Sequence, residues 1–204
     1  MNARPADENI VGNVYDKYGT TNPIARRLMA GFFGAFDDLY RQSGARRVLE
    51  VGCGEGKLAQ RLVDVHGMPE RFEICDLEMD RIIPDLDPRI GTRAASIYEL
   101  PFEAGEFDLV VCCEVLEHIE RPREGLRELA RVSGSKVIVS TPREPIWRAM
   151  NMARGKYLGA LGNTPGHIQH FSQSALRRLV GDELDVLELR APLPWTMILA
   201  QTRR

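Results

Sequence analysis

At 204 residues, with 44% hydrophobic and 27% charged side chains, the chain has the size and balance of one domain with a full hydrophobic core. A net charge of −2 excludes the global basic field of a nucleic-acid binder. No apolar run approaches the roughly 20 residues of a membrane-spanning helix, and MNARPADENIVGN lacks the apolar core of a signal peptide.

The predicted elements alternate between strand and helix. Asn22-Pro23 is a helix start, with Asn as cap and Pro in the first turn. Ile24, Leu28, Met29, Phe32, Phe33, Phe36 and Tyr40 then recur at helical spacing until Gly44 stops the run. Arg47–Val51 is a short strand that ends in glycines, and Leu58, Leu62 and Val65 mark a helix ending near Gly67. Phe72–Cys75 is the second strand, with Asp76 at its carboxyl end. Pro84 and Pro88 interrupt the next stretch and leave room only for a short helix at Glu78–Ile83.

Thr92–Ala95 is a third strand, and Asp108–Cys113 a fourth, apolar enough to be buried on both faces. A helix over Arg123–Val132 and a strand over Lys136–Ser140 follow. Ser172 caps a helix through Val180, and strands at Val186–Leu189 and Met197–Gln201 close the chain. The pattern predicts a single α/β domain over 1–204, with a mainly parallel sheet. Cys53, Cys75, Cys112 and Cys113 contain no Cys-x-x-Cys pair, and Cys112 and Cys113 would alternate faces on a strand. They read as small buried residues of a reduced, cytoplasmic protein, with no metal site.

In such sheets ligands bind at the carboxyl ends of strands, where the strand order reverses. The turn after the first strand is Gly52-Cys53-Gly54-Glu55-Gly56, and glycines there let the backbone approach a ligand closely. Asp76 stands about 20 residues further on, where a ribose-binding carboxylate belongs. A dinucleotide fingerprint would place a glycine at position 57, which is Lys57.

The Gly-x-Gly-x-Gly turn after Val-Leu-Glu resembles the first motif of class I S-adenosylmethionine-dependent methyltransferases. Leu100-Pro101-Phe102, Gly105-Glu106-Phe107-Asp108 and Val110-Val111-Cys112-Cys113-Glu114-Val115-Leu116-Glu117-His118 are similar to that family's later motifs. The resemblance implies a Rossmann-like, seven-stranded, mostly parallel sheet with helices on both faces and an N-terminal helical cap over 1–44. It implies S-adenosylmethionine as cofactor, S-adenosylhomocysteine as product and no metal. Glu50, Gly52, Cys53, Gly54 and Gly56 would form the floor beneath the methionine half. Asp76 would hold the ribose, Leu77 would lie against the adenine, and Ser96 and Ile97 would flank that ring. Cys113 and Glu114 would lie beside the reactive methyl group. Ser96 departs from the acidic residue usual at its position. Tyr15 and Tyr18 look like the segment that folds over the cofactor in small-molecule members.

The family commonly inserts a lid after the fifth strand, here 142–171. From Pro145 to Val180 every charged side chain is basic: Arg148, Arg154, Lys156, Arg177 and Arg178. They form a solvated face or recognise an anionic group. Arg143, Trp147, Arg154 and Tyr157 are the acceptor-binding candidates. Ile146, Trp147, Met150, Ala153, Tyr157 and Leu161 form an apolar stripe, which reads as a packed lid or an interfacial helix. His167 and His170 are the candidate bases, since unperturbed histidine titrates near neutrality. Glu117-His118 invites a catalytic reading, and capping and packing after the fourth strand account for it equally well. The expected reaction is methyl transfer to a small-molecule acceptor, anionic or amphipathic, at oxygen, with nitrogen, carbon and a lipid-like or quinone acceptor as alternatives. A cofactor-binding module without catalysis is the reading from a different class. Neither nucleic acid nor integral membrane association is expected.

Overall fold

The structure, a computed structural model, describes residues 21–203. Asn22 starts helix α1 (Pro23–Ser43) by accepting the Ile24 and Ala25 N–H groups on its side chain, and Gly44 ends it with φ 61°. Tyr15 and Tyr18, the expected cofactor cover, lie outside the described residues. The elements then run β1 (Arg47–Val51), α2 (Lys57–His66), β2 (Arg71–Asp76), β3 (Gly91–Ala94), β4 (Phe107–Cys113) and α3 (Pro122–Val132). They continue with β5 (Ser133–Pro142), α4 (Ile146–Ala153), α5 (Gln173–Glu183), β6 (Asp185–Arg190) and β7 (Trp195–Gln201).

One seven-stranded sheet takes the order β3-β2-β1-β4-β5-β7-β6. Its first five strands are parallel, and β7 enters antiparallel between β5 and β6. Both faces are covered. Met29, Phe32, Phe36 and Leu39 of α1 and Leu58 and Leu62 of α2 pack with Val48, Ile74, Leu109 and Val111 on one face. Leu126 and Leu129 of α3 and Leu176 and Val180 of α5 pack with Leu49, Val110, Cys112 and Val139 on the other. Cys112 and Cys113 serve opposite faces, as strand alternation requires. All four thiols are unpaired.

Two local expectations fail. No helix forms over Glu78–Ile83; the stretch runs as turns between β2 and β3. Its apolar residues are used differently, with Ile82 and Leu86 against Gly56 and the Ile83 N–H on the Glu55 carbonyl at 3.0 Å. The apolar stripe of the lid is also broken. Helix α4 stops at Ala153, and Tyr157 (φ 54°) and Leu161 (φ 48°) sit in left-handed turns beyond it.

Phe36 is fully buried between α1 and the sheet, whereas Ile24 on the same helix is 69% exposed. Phe36→Ala is expected to cost about 3–5 kcal/mol in urea unfolding, and Ile24→Ala under about 0.5 kcal/mol. Equal losses at both sites would mean that α1 is not held by its inner face.

Candidate active site

The sheet order reverses between β1 and β4. The chain leaves β1 through α2 on one face and β4 through α3 on the other, so a crevice opens at the carboxyl ends of these two strands. The glycine turn fills the floor of that crevice. Gly52 has φ 73°, and a Cβ there would overlap Val115, so only glycine meets both the backbone and the packing requirement. Gly54 and Gly56 also take positive φ, and Gly56 caps α2.

Hydrogen bonds fold this turn onto the end of β2. The Cys75 carbonyl accepts the N–H groups of Gly52 at 2.8 Å and Cys53 at 3.1 Å. Asp76 Oδ2 accepts the Gly54 N–H at 2.8 Å. The two motifs that stand about 20 residues apart in sequence are therefore one bonded unit. Leu77 follows it, half exposed at the crevice edge.

Glu50 is buried under the turn at 5% exposure. Burial first, and then the negative charge of Asp76, push its carboxyl up to about 8. The Cys53 side chain belongs to the core beneath α2, and burial raises its thiol far above the ordinary range. It offers the crevice its backbone. Burial pushes the Cys75 thiol up to about 12, so it stays protonated at neutral pH.

On the other strand, Cys113 ends β4 and Glu114 adopts φ 62°. The Glu114 carboxylate is held by Trp195 Nε1 at 2.7 Å and Ser140 Oγ at 3.2 Å. Ser96 sits just past β3, where its Oγ accepts the Tyr98 N–H at 3.3 Å. The Ile97 side chain turns away into the core and packs over Gly125, so only its backbone is offered to a ligand.

The lid candidates separate. Trp147 is buried, with Nε1 donating to Thr164 Oγ1 at 2.9 Å and its ring stacked on His167 at 5.9 Å. It pins the lid from beneath. Arg143 is half-buried and donates its N–H to the Pro194 carbonyl. Arg154 is exposed and donates to Asn151, and Tyr157 is exposed beyond the helix. His170 is also exposed, 2.8 Å from Asn163 Oδ1.

His167 lies elsewhere. It is buried edge-to-face against His118 at 4.8 Å, and donor atoms of Glu117, His118 and His167 all lie within 4.8 Å of one another. That donor set can hold a proton network or a divalent cation. The loop is tied there by its backbone as well. Ile168 and Gln169 donate to the Glu117 carbonyl, and His118 Nδ1 lies 2.9 Å from the Gly166 carbonyl oxygen. Glu117-His118 therefore ties the lid to the turn after β4 as well as packing beneath it. Its only linear signal was an adjacent Glu-His pair, and its partner stands 49 residues away in the lid.

The methyltransferase-domain family model matches residues 24–183. The ubiquinone biosynthesis O-methyltransferase of Xanthomonas oryzae pv. oryzae is 29% identical over 123 residues, 56% of this chain and 51% of that protein. O-methyltransferase resE of Aspergillus sclerotiorum is 27% identical over 160 residues, 64% of this chain and 60% of that protein. The chain spans about half the length of the first curated relatives it matches. Among solved structures, magnesium protoporphyrin IX methyltransferase of Synechocystis PCC 6803 with bound SAH superimposes with a TM-score of 0.65 at 16% identity, covering 95% of this chain and 91% of that one. The PH0226 protein of Pyrococcus horikoshii OT3 gives 0.69 at 14% identity, covering 93% and 97%. Those two likenesses establish the fold. With its model matched from α1 through α5, the chain belongs to the methyltransferase-domain family.

Proposed function

We propose that the chain transfers a methyl group from S-adenosylmethionine to an oxygen of a small-molecule acceptor, in the cytoplasm. The observation that carries this reading is the bond from the Gly54 N–H to Asp76, which joins the glycine turn and the acidic strand end into one cradle. The residues fit the cofactor. Gly52 keeps the turn bare, since a Cβ there would overlap Val115, and Asp76 is half-buried with a carboxylate suited to ribose hydroxyls. The buried Glu50, its carboxyl raised to about 8, offers an oxygen to accept a hydrogen bond from the ammonium end of the methionine half, and Leu77 offers an apolar face for the adenine. When bound, the cofactor supplies an electrophilic methyl group on a sulfonium centre. The names of the curated relatives favour oxygen as the methylated atom.

The protein's own work is to align the acceptor, exclude water and receive a proton. His167 is the base in this reading. It is buried, and Glu117 beside it can orient the imidazole and stabilise its charged form. His170, exposed on Asn163, is set aside. Arg143 is the acceptor-binding candidate closest to the sheet, since it follows β5 directly.

Asp76→Ala is expected to weaken S-adenosylhomocysteine binding about 10- to 150-fold in calorimetric titration, the range for hydrogen bonds to a charged group. Unchanged affinity in a folded variant would overturn the assignment. Once labelled cofactor and cell extract reveal an acceptor, His167→Ala should lower turnover about 10²- to 10⁴-fold with S-adenosylhomocysteine affinity retained, and His170→Ala should leave turnover near wild type. The opposite ranking would move the base to His170.

Glu50 has a pH signature of its own. Its folded value of about 8 lies above the ordinary 4.5, so its contribution to stability is fully present below about pH 4.5 and lost as the pH rises to about 8. Glu50→Gln should therefore be more stable than wild type at pH 9, on the order of a few kcal/mol, with the gap closing toward pH 5. A gap independent of pH in urea unfolding would mean that Glu50 ionises normally.

A further inference from the structure

The lid has its polarity inside out. Beneath it, Trp147 Nε1 and Asn151 Nδ2 both donate to Thr164 Oγ1, Asn151 Nδ2 also donates to the Gly162 carbonyl, and the Lys156 N–H meets the Asn151 carbonyl at 2.8 Å. Trp147, Asn151 and Thr164 are all buried. Arg148 Nε clamps the Leu161 carbonyl at 2.8 Å and closes the turn from the side. The inner anchor of this hairpin is thus largely polar, and its hydrogen bonds are made.

The outer surface is apolar. Ten large hydrophobic side chains are exposed among the described residues, and five of them fall within 152–168: Met152, Tyr157, Leu158, Leu161 and Ile168. Leu158 is 59% exposed, Leu161 66% and Ile168 52%. This concentration sets the segment apart from the scattered apolar residues of an ordinary surface. The 3₁₀ turn Leu158–Ala160 is flanked by Tyr157 and Leu161, two non-glycine residues in the left-handed region. Such backbone is unfavourable for leucine and tyrosine, and both side chains are exposed there.

Charge indicates what covers that surface. Arg148, Arg154 and Lys156 border it, and no Asp or Glu occurs from 145 through 181 in a chain whose net charge is −2. Apolar tips with a purely cationic border match the interfacial region of an anionic bilayer, where leucines enter the headgroup–acyl boundary and cations meet the lipid phosphates. We propose that the α4–Leu161 hairpin docks this protein on anionic membrane surfaces, with Leu158, Leu161 and Ile168 inserted and Lys156 at the phosphates. No helix among the described residues is long and apolar enough to cross a membrane, so the contact is peripheral. The inference stands apart from methyl transfer. It rests on the outer face of the lid, and the cofactor cradle lies at the ends of β1 and β2.

The test is flotation of the full chain with vesicles of phosphatidylcholine alone or mixed with phosphatidylglycerol, at low and high salt. The expected result is binding to the mixed vesicles at least about tenfold above neutral ones, weakened by salt. Leu158→Ser with Leu161→Ser should reduce that binding about tenfold, and Lys156→Glu by a similar factor, with S-adenosylhomocysteine affinity unchanged in both. Absence of flotation, equal binding to neutral vesicles, or full binding by the leucine variant would each overturn the proposal. Concentration-dependent self-association lost with the leucines, without vesicle binding, would also overturn it and make the patch an interface between copies of the chain. Loss of cofactor affinity in wild type would fall on the proposed enzymatic function and leave the vesicle result standing.

Discussion

The fold around the crevice depends on one carbonyl. Cys75 O accepts two successive N–H groups from the glycine turn, and the next residue's carboxylate accepts a third from Gly54. A chain that leaves β1 would normally rise away from the sheet into its helix. Here it is drawn sideways over the end of β2 before α2 begins. That detour requires left-handed backbone at three positions, which explains why glycine recurs there. It also shapes a shallow floor at the point where the sheet order reverses. The remaining parts attach to this arrangement: Glu50 is sealed beneath it, Val115 presses on Gly52 from β4's side, and Ile82 and Leu86 brace Gly56.

The two sides of the crevice are built differently. On the β1–β2 side, positions are fixed by backbone bonds, and the side chains that matter are few. On the β4–β5 side, side chains hold one another: Trp195 and Ser140 grip Glu114, while Trp147 lies against Trp195 and stacks on His167. A backbone-built site suits a constant ligand. A side-chain-built site can change with the acceptor while the sheet stays as it is.

This difference also explains what was legible in the sequence. Apolar patterning gave the central strands and the principal helices, because such runs tie directly to burial. The bonded turn at Gly52–Gly56 and Asp76 could be read because steric demands on glycine, and an acid at a strand end, leave marks at fixed positions. The short helix expected at Glu78–Ile83 is absent, since Ile82 and Leu86 pack at Gly56 from turns and leave no helical period. The apolar stripe of the lid breaks at Tyr157 and Leu161, which occupy left-handed turns that apolar spacing does not reveal. Ile97, assigned to the adenine, faces the core, because its position in the motif says nothing about which way its side chain turns. The Glu117–His118–His167 group stayed hidden for a different reason. Its members come from two segments joined only by the tertiary bonds of the lid to the turn after β4, and no local pattern encodes that meeting.

The proposed cofactor cradle is the bonded unit of the glycine turn and Asp76. A crystal structure with S-adenosylhomocysteine tests it most directly. The expected result is the methionine half over Gly52–Gly56 and the ribose hydroxyls on the Asp76 carboxylate. A ligand bound elsewhere on the chain, or lying in the crevice without touching Asp76, would contradict it.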